Sequence, residues 1–196
     1  MLDKKKQWIE KIFDWMSSQM RPIKVTIGSD GDPFASLLYR HFMTRAEQEK
    51  LPHLSFDFQT NGLLIKKMYQ RHLYVFDRLK NLHISVDGAN KETYEALRRG
   101  GSWEMLNYNL QFLAKQSRQF RVEIHMVVQE ANWREMPKML ALVKEYGFDR
   151  IYFNIIRDWN TGLDITDQTQ FTHSLEFKRI KASLEQDELA SCYNLL

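Results

Sequence analysis

Hydrophobic residues follow two different periods along this chain. In five short segments they recur at every second position, which predicts β-strands near residues 23–27, 54–58, 82–86, 121–129 and 151–156. Before and between these segments they recur at spacings of three and four residues, which predicts amphipathic helices. Because connections of ten or more residues favour parallel pairing of the strands they join, the pattern predicts an α/β protein with a parallel sheet.

The segment Ile23–Arg40 contains a predicted strand, a polar loop and the start of a helix. The loop reads Gly28-Ser29-Asp30-Gly31-Asp32-Pro33, and its glycines and proline end the strand. Asp32 is predicted to be the N-cap of a helix over roughly residues 33–49, with Pro33 at the first helical position. Loops that follow parallel strands commonly bind ligands, so this loop is a candidate ligand-binding loop.

Polar residues also follow the later strands. Asn61 stands in Thr60-Asn61-Gly62 after the second strand, and Ser85 and Asp87 lie at the end of the third. Gln129, Asn132 and Asn154 lie at the ends of the last two. Tight turns at Asn61-Gly62 and Asp87-Gly88 are an alternative role for two of these sites, because both dipeptides form turns readily.

Several residues are predicted to begin or end helices. Asn90 and Asn132 are predicted N-caps, and Gly147 is predicted to end the helix that begins at Met136. A helix begins at Leu63 and is expected to continue to Leu73, a last helix is expected over residues 171–188, and residues 193–196 form an apolar end.

Composition narrows the functional classes. The chain has 196 residues, 43% of them hydrophobic, which is enough for one core, and its net charge of +3 is spread along the sequence. Because this charge is mild and dispersed, we do not expect nucleic-acid binding. We also expect no membrane span, since no apolar run approaches the roughly 20 residues that a membrane helix needs. The charged N-terminus does not resemble a signal peptide, and the expectation is a soluble, cytoplasmic protein.

Cysteine and histidine give no sign of a metal site in the sequence. The only cysteine is Cys192, so one chain can form neither a disulfide nor a cysteine-based metal site. No two of the six histidines stand at a metal-binding spacing, so roles at the surface or in packing are expected and no metal ligand is predicted.

The loop sequences together resemble the radical S-adenosylmethionine (radical SAM) superfamily, in the SPASM-associated branch. The segments that carry the resemblance are IGSDGDPFASLLYRHF, QTNGLLI, ISVDGANKETYEALRRGGSWEMLNYNLQFL and HMVVQEANWREMPKMLALVKEYGFDRIYFNII. The most specific is Ser85–Leu113, and the resemblance covers about Ile23–Ile156 and, more weakly, the tail with THSLEFKRI and NLL. It implies an open partial (β/α) barrel of about five parallel strands with outer helices, in which the first barrel strand is missing. One truncated domain over residues 1–196 is expected, with a barrel core over 1–156 and a C-terminal helix and tail over 157–196.

The same resemblance implies cofactors. Family members hold a 4Fe-4S cluster with three thiolates of a C-x3-C-x2-C loop, whereas this chain has only Cys192, so no cluster is expected in it. The resemblance implies S-adenosylmethionine as the ligand of the strand-end loops. The residues it assigns to the cofactor are Gly28, Ser29, Asp30, Gly31, Asp32, Asn61, Ser85, Asp87, Val128 and Gln129.

Two functions are compatible with the sequence, and the sequence does not decide whether the chain is an enzyme. One is a truncated or degenerate radical SAM-like domain that cannot cleave S-adenosylmethionine alone. The other is the catalytic half of a split enzyme, completed by a cysteine-bearing partner. A third, less favoured option is another small ligand in the cleft. A sheet edge at Ile23–Ile27 predicts a homo-oligomer or a protein partner there, unless the first helix covers the edge.

Overall fold

The computed structural model describes residues 2–28, 31–158 and 164–193, without the side chains of Leu2, Asp3 and Tyr193. The α-helices are α1 (Leu2–Ser17), α2 (Leu37–Glu49), α3 (Ile65–Arg71), α4 (Leu73–Asp77), α5 (Lys91–Leu97), α6 (Trp103–Ala114), α7 (Met136–Glu145), α8 (Thr166–Thr169) and α9 (Leu175–Leu184). Short 3-10 turns cover Trp133–Glu135 and Gln170–His173. The strands are β1 (Ile23–Ile27), β2 (Leu54–Thr60), β3 (Leu79–Ser85), β4 (Arg121–Val128), β5 (Arg150–Ile155) and β6 (Ala190–Tyr193).

The strands form one six-stranded sheet in the order β1-β2-β3-β4-β5-β6, and every neighbouring pair is parallel. Because spatial order equals chain order, the connections all run in one direction, as they do in a (β/α) barrel and not in a doubly wound sheet. The predicted α/β class and open partial barrel are confirmed. The expected number of about five strands is too small by one. β6 is only four residues long and lacks a clear alternation, so only its pairing with β5 identifies it.

The two faces of the sheet differ in polarity. One face packs against the helices and carries fully buried side chains such as Phe56, Ile84, Ile124 and Phe153. Because successive side chains of a strand point to opposite faces, the alternate residues form the other face, here called the polar face. It carries Lys24, Thr26, Asp57, Gln59, Asn81, His83, Ser85, Glu123, His125, Val127, Tyr152 and Asn154.

Helix α1 packs on the helix-covered side of the sheet. Phe13 and Met16 are buried, and the ring of Phe13 lies 4.9 Å from that of Phe42 in α2. The backbone carbonyl of Met16 lies 3.0 Å from Nε2 of His53. β1 pairs only with β2 among the described residues, so β1 is an edge of the sheet, as the sequence predicts.

Some predicted helix ends are confirmed and others are wrong. Asn90 caps α5 through a bond from the Thr93 N–H, and Gly147 follows α7 with a φ of +61°. Asp32 does not cap α2, since the N-cap is Ser36, whose hydroxyl accepts from the Tyr39 N–H. Asn132 caps no helix, because its side chain bonds to strand ends instead.

The ends of three other elements differ from those that the sequence predicts. The helix expected to continue to Leu73 is interrupted at His72, between α3 and α4. β3 begins at Leu79, three residues before the expected start, because Leu79 already pairs with Phe56 of β2. The last helix covers only Leu175–Leu184 of the expected 171–188, since a 3-10 turn replaces its first part. Within the described ranges, no helix combines the length and the apolar character required to span a membrane.

Candidate functional site

A pocket of about 270 Å³ opens on the polar face at the carboxyl ends of the strands. Gln59 comes from β2, Ser85 from β3, His125 and Val127 from β4, and Asn154 from β5. Met126, Ile155, Ile156 and Arg157 complete its lining. The pocket therefore combines amide and hydroxyl groups with apolar side chains, which is the usual composition of a site for a small organic ligand.

A larger pocket, of about 500 Å³, lies at the opposite end of the sheet. Its lining includes Tyr74 and Asp77, which precede β3, and Arg118 and Phe120, which precede β4. Active sites of (β/α) barrels lie at the carboxyl ends of the strands, whereas the amino-terminal end serves stability. We therefore place the candidate site at the smaller pocket.

The loop after β1 was predicted to bind the cofactor. Ser29 and Asp30 lie outside the described residues. Gly28 packs closely on β2, because a Cβ added there would lie 2.4 Å from Cβ of Gln59. Gly31 is exposed and has a φ of +88°, a conformation that favours glycine. Close packing and turn geometry thus account for both glycines without a ligand.

The carboxylate of Asp32 is occupied by the protein itself. Its Oδ1 accepts hydrogen bonds from the N–H groups of Phe34 at 2.8 Å and Ala35 at 3.1 Å. Its Oδ2 accepts from the Thr60 hydroxyl and from the Asn61 N–H, both at 2.7 Å. Asp32 therefore joins the loops after β1 and β2, which agrees with a structural role.

Asn61 and Ser85 follow neighbouring strands but border different pockets. The Asn61 side chain accepts a bond of 3.0 Å from the Leu63 N–H, and Asn61 borders a separate pocket of about 400 Å³ next to Arg98 and Gly100. Ser85 lines the candidate site, where its Oγ lies 3.5 Å from Nε2 of Gln59.

Asp87 and the end of β4 are tied together. Asp87 Oδ1 accepts from the Val127 N–H at 2.8 Å, and Oδ2 lies 2.6 Å from Nε of Arg98 in an ion pair that lacks hydrogen-bond alignment. The Asn132 amide donates to the backbone carbonyls of Asp87 and Val127. These bonds fix the shape of the strand ends and leave Asp87 only 7% exposed.

Val128 and Gln129 end β4 outside the pocket. The Val128 side chain is fully buried on the helix-covered face, whereas its neighbour Val127 lines the pocket. The Gln129 N–H donates to Asn132 Oδ1 at 2.8 Å, and the Gln129 carbonyl accepts from the N–H groups of Asn132 and Trp133. Of the residues that the sequence assigned to the cofactor and the structure describes, only Ser85 lines the candidate site, and Asn154, predicted at the end of the last strand, lines it as well.

Glu135, which the sequence did not suggest, supports the loop after β3. Its carboxylate accepts from the Ala89 N–H and from the Asn90 amide, both at 2.6 Å, and also from the Thr93 hydroxyl. Glu135 thus connects the segment Ser85–Leu113, which carries the most specific part of the resemblance, with the end of β4.

A second cluster on the polar face was missed by sequence reasoning. His83 Nδ1 lies 3.0 Å from Oε2 of Glu123 and 3.1 Å from Nε2 of His125. Burial, with a smaller effect of the neighbouring His83, lowers the pKa of His125 to about 4, so its imidazole is neutral at pH 7. The alternation in the β4 sequence, which puts Glu123 and His125 on one face, was the available signal. The position of His83 beside them depends on the β3–β4 register.

Cys192 lies on the opposite side of the sheet from this cluster. It stands in β6 beside the buried Phe153 and packs against the hydrophobic core. Burial raises the pKa of its thiol to about 11, so the thiol stays protonated at neutral pH. A single protonated thiol on the helix-covered face does not fit the three thiolates that a 4Fe-4S cluster of the radical SAM type requires.

Comparison with known proteins shows similarity in structure. No protein-family model matches the chain, and no curated protein matches it significantly. Streptococcus suis SuiB bound to S-adenosylmethionine superposes with a TM-score of 0.67 at 13% identity, over 97% of this chain and 44% of SuiB. Native anSMEcpe with bound AdoMet gives a TM-score of 0.58 at 18% identity, over 95% of this chain and 53% of that protein.

TYW1 with a lysine-pyruvate adduct gives a TM-score of 0.54 at 17% identity, over 93% of this chain and 60% of TYW1. This chain thus spans about half the length of these structures, all of which are radical SAM enzymes. The chain therefore shares the fold of these three structures.

Proposed function

We propose that this chain is a radical SAM-like domain that keeps a ligand pocket at its strand ends but neither holds a 4Fe-4S cluster nor cleaves S-adenosylmethionine by itself. The observation that supports the proposal is Cys192, the single thiol of the sequence, which packs against the core with a pKa raised to about 11. In radical SAM enzymes the 4Fe-4S cluster supplies the electron for reductive cleavage of the S-adenosylmethionine sulfonium. Three thiolates bind the cluster. The residues of this chain supply neither of these.

Anaerobic reconstitution with iron and sulfide tests the missing cluster. We expect no acid-labile sulfide and no 4Fe-4S absorption band in the reconstituted chain, and no change when Cys192 is replaced by serine. One 4Fe-4S cluster per chain, lost in Cys192→Ser, would contradict the proposal.

The pocket suits the nucleoside part of S-adenosylmethionine. Gln59, Ser85 and Asn154 offer amide and hydroxyl groups that can pair with ribose hydroxyls, and Val127 and Ile156 offer apolar contact for a base. The lining thus fits the ligand class that the sequence resemblance implies. Its volume of about 270 Å³ is near the lower end of ligand pockets, which suits part of the cofactor better than the whole.

Calorimetric titration with S-adenosylmethionine and with 5′-deoxyadenosine tests this assignment. We expect both to bind with similar affinity, because the contacts are made to the shared nucleoside, and we expect Asn154→Leu to weaken both by about tenfold. Leu73→Ala, at an exposed site far from the pocket, is the matched control. No heat with either ligand would favour a different small molecule in the pocket.

A second candidate is the catalytic part of a split enzyme. It is favoured by β1, which pairs on one side only among the described residues and so could accept a further parallel strand. A cysteine-bearing partner that supplies this strand would also supply the cluster. Co-expression with a neighbouring reading frame that encodes C-x3-C-x2-C, followed by iron analysis of the purified complex, tests this candidate. A chain that stays monomeric and contains no acid-labile sulfide in that experiment would contradict it.

A further inference from the structure

The cluster of His83, Glu123 and His125 brings three metal-ligating atoms together on the polar face. One ligand atom from each residue lies within 4.8 Å of the other two. Glu123 is 6% exposed, and the two histidines are half-buried. The three side chains come from the centres of two adjacent strands, so the backbone pairing of β3 with β4 fixes their positions.

Hydrogen bonding alone does not satisfy this arrangement. His83 Nδ1 contacts both the Glu123 carboxylate and His125 Nε2, yet a ring nitrogen carries either one hydrogen or one lone pair. If Nδ1 is protonated, the carboxylate and the His125 lone pair compete for a single hydrogen. If Nδ1 is not protonated, it can accept from His125, but the carboxylate then faces a lone pair. In either tautomer the protein alone therefore satisfies only one of the two contacts at His83 Nδ1.

A single cation satisfies all three groups, because each then donates a lone pair to the same ion. Zinc lies about 2.0–2.2 Å from nitrogen and carboxylate oxygen, which places two ligand atoms of one ion roughly 3.0–3.5 Å apart. The two contacts at His83, of 3.0 and 3.1 Å, fall in this range. We infer that His83, Glu123 and His125 form a binding site for a first-row divalent transition-metal ion.

The surroundings favour an ion with open coordination positions. Two imidazoles and one carboxylate are the ligand set of zinc and of non-haem iron(II), and not of Mg²⁺ or Ca²⁺, which prefer oxygen ligands. His125 also lines the pocket with Ser85 and Asn154, so an ion held there borders the pocket and can exchange water or ligand through it. This site is separate from Cys192 and from any iron–sulfur cluster.

Neighbouring charged side chains do not compete with His83, Glu123 and His125 for a metal ion. Asp57 is neutralised by Lys24 at 3.1 Å and bonded by Asn81, so it does not compete for the ion. Arg150 is the register partner of Glu123, but its guanidinium lies over the ring of Tyr152, 6.0 Å from the centroid. The Glu123 carboxylate therefore contacts His83 at the centre of the cluster.

Metal titration of the untagged full chain, after dialysis against a chelator, tests the site. We expect one equivalent of Co²⁺ to produce visible d–d bands, one equivalent of Zn²⁺ to displace it, and Zn²⁺ to raise the melting temperature. Excess Mg²⁺ should have no effect. Glu123→Gln and His125→Phe each keep side-chain size and should weaken Co²⁺ binding at least about 100-fold, since even outer-shell partners cost 10–100-fold.

His173→Gln, at an exposed histidine outside the cluster, is the matched control and should bind Co²⁺ as the unaltered chain does. Histidine ring nitrogen NMR of the unaltered chain gives a second readout that needs no variant, because Zn²⁺ should shift only His83 and His125. If the cluster is only an ordinary ion pair, the chain will not bind Co²⁺ stoichiometrically, or Glu123→Gln will bind Co²⁺ as tightly as the unaltered chain does. Either result would overturn the inference. Neither outcome depends on the cofactor pocket, so this test is independent of the proposed function.

Discussion

The Thr60 hydroxyl donates a 2.7 Å hydrogen bond to Oδ2 of Asp32, and this contact joins the ends of β1 and β2. The same oxygen accepts the Asn61 N–H at 2.7 Å. One carboxylate thus organises two of the strand-end loops that sequence reasoning assigned to a cofactor. Stability measurements can separate such structural roles from ligand binding.

Asp32→Ala is expected to lower the free energy of unfolding by about 2–4 kcal/mol. The change removes four hydrogen bonds to a charged group, each worth roughly 1.5–3 kcal/mol in isolation but not additive, and leaves the Thr60 hydroxyl and the Asn61 N–H without that acceptor. Urea denaturation measures the effect, and Asp14→Ala at an exposed site of α1 is the control. Equal stability of the two variants would favour a ligand-binding role for Asp32.

Asn132→Asp should destabilise the protein by about 3 kcal/mol or more. The Asn132 amide donates to the carbonyls of Asp87 and Val127, and a carboxylate in its place would face those two oxygens with negative charge at a site 1% exposed. Asn132→Leu, which removes the bonds without adding charge, should cost less. If the two variants unfold at the same urea concentration, the added negative charge has no cost beyond the loss of the two hydrogen bonds.

His72→Leu is expected to stabilise the protein by about 1 kcal/mol at pH 7. Both ring nitrogens of His72 are buried and have no hydrogen-bond partner among the described residues, whereas leucine fills a similar volume without polar atoms. His173→Leu, at an exposed histidine, should change stability little.

The His72→Leu gain should increase as the pH falls. Burial and then the nearby Arg71 lower the pKa of His72 below its usual value of 6.5, while Glu47 opposes the shift. The unfolded chain therefore binds a proton near pH 6.5 that the folded chain does not, so His72 lowers stability progressively below that pH. Urea denaturation at pH 7 and pH 5.5 measures the difference. A gain that is the same at both values would show that His72 titrates normally in the folded state.

Cys192 should react slowly with iodoacetamide. A pKa of about 11, compared with an ordinary 9.0, reduces the thiolate at pH 8 by about 100-fold, and the reaction should slow accordingly relative to the urea-unfolded chain. Stability should also fall as the pH rises from about 9 toward 11, because the unfolded chain releases the thiol proton there while the folded chain retains it. Mass spectrometry of timed samples measures the rate. Alkylation as fast as in urea would contradict the buried, protonated thiol.

Local patterns predicted the fold well, and non-local contacts explain most of the differences. Asn90 and Gly147 were predictable because a cap and a left-handed helix end depend on neighbours a few residues away. Asp32 and Ser36 are both good caps by residue type, and only the pairing of Asp32 with Thr60 decides between them. The cluster at His83 required the β3–β4 register, which no periodicity in one strand reveals.

The chain order of the strands also bears on how this protein assembles during synthesis. Each strand pairs with the strand before it, so β2 finds β1 already outside the ribosome, and the same holds for each later strand. Each strand can pair with a strand that is already synthesised. The chain segment closed by each pairing is therefore only the connection between two consecutive strands. Assembly can therefore keep pace with elongation at about 5–20 residues per second. Of the six described strands β1 is made before the others, so its edge is exposed longest to other chains.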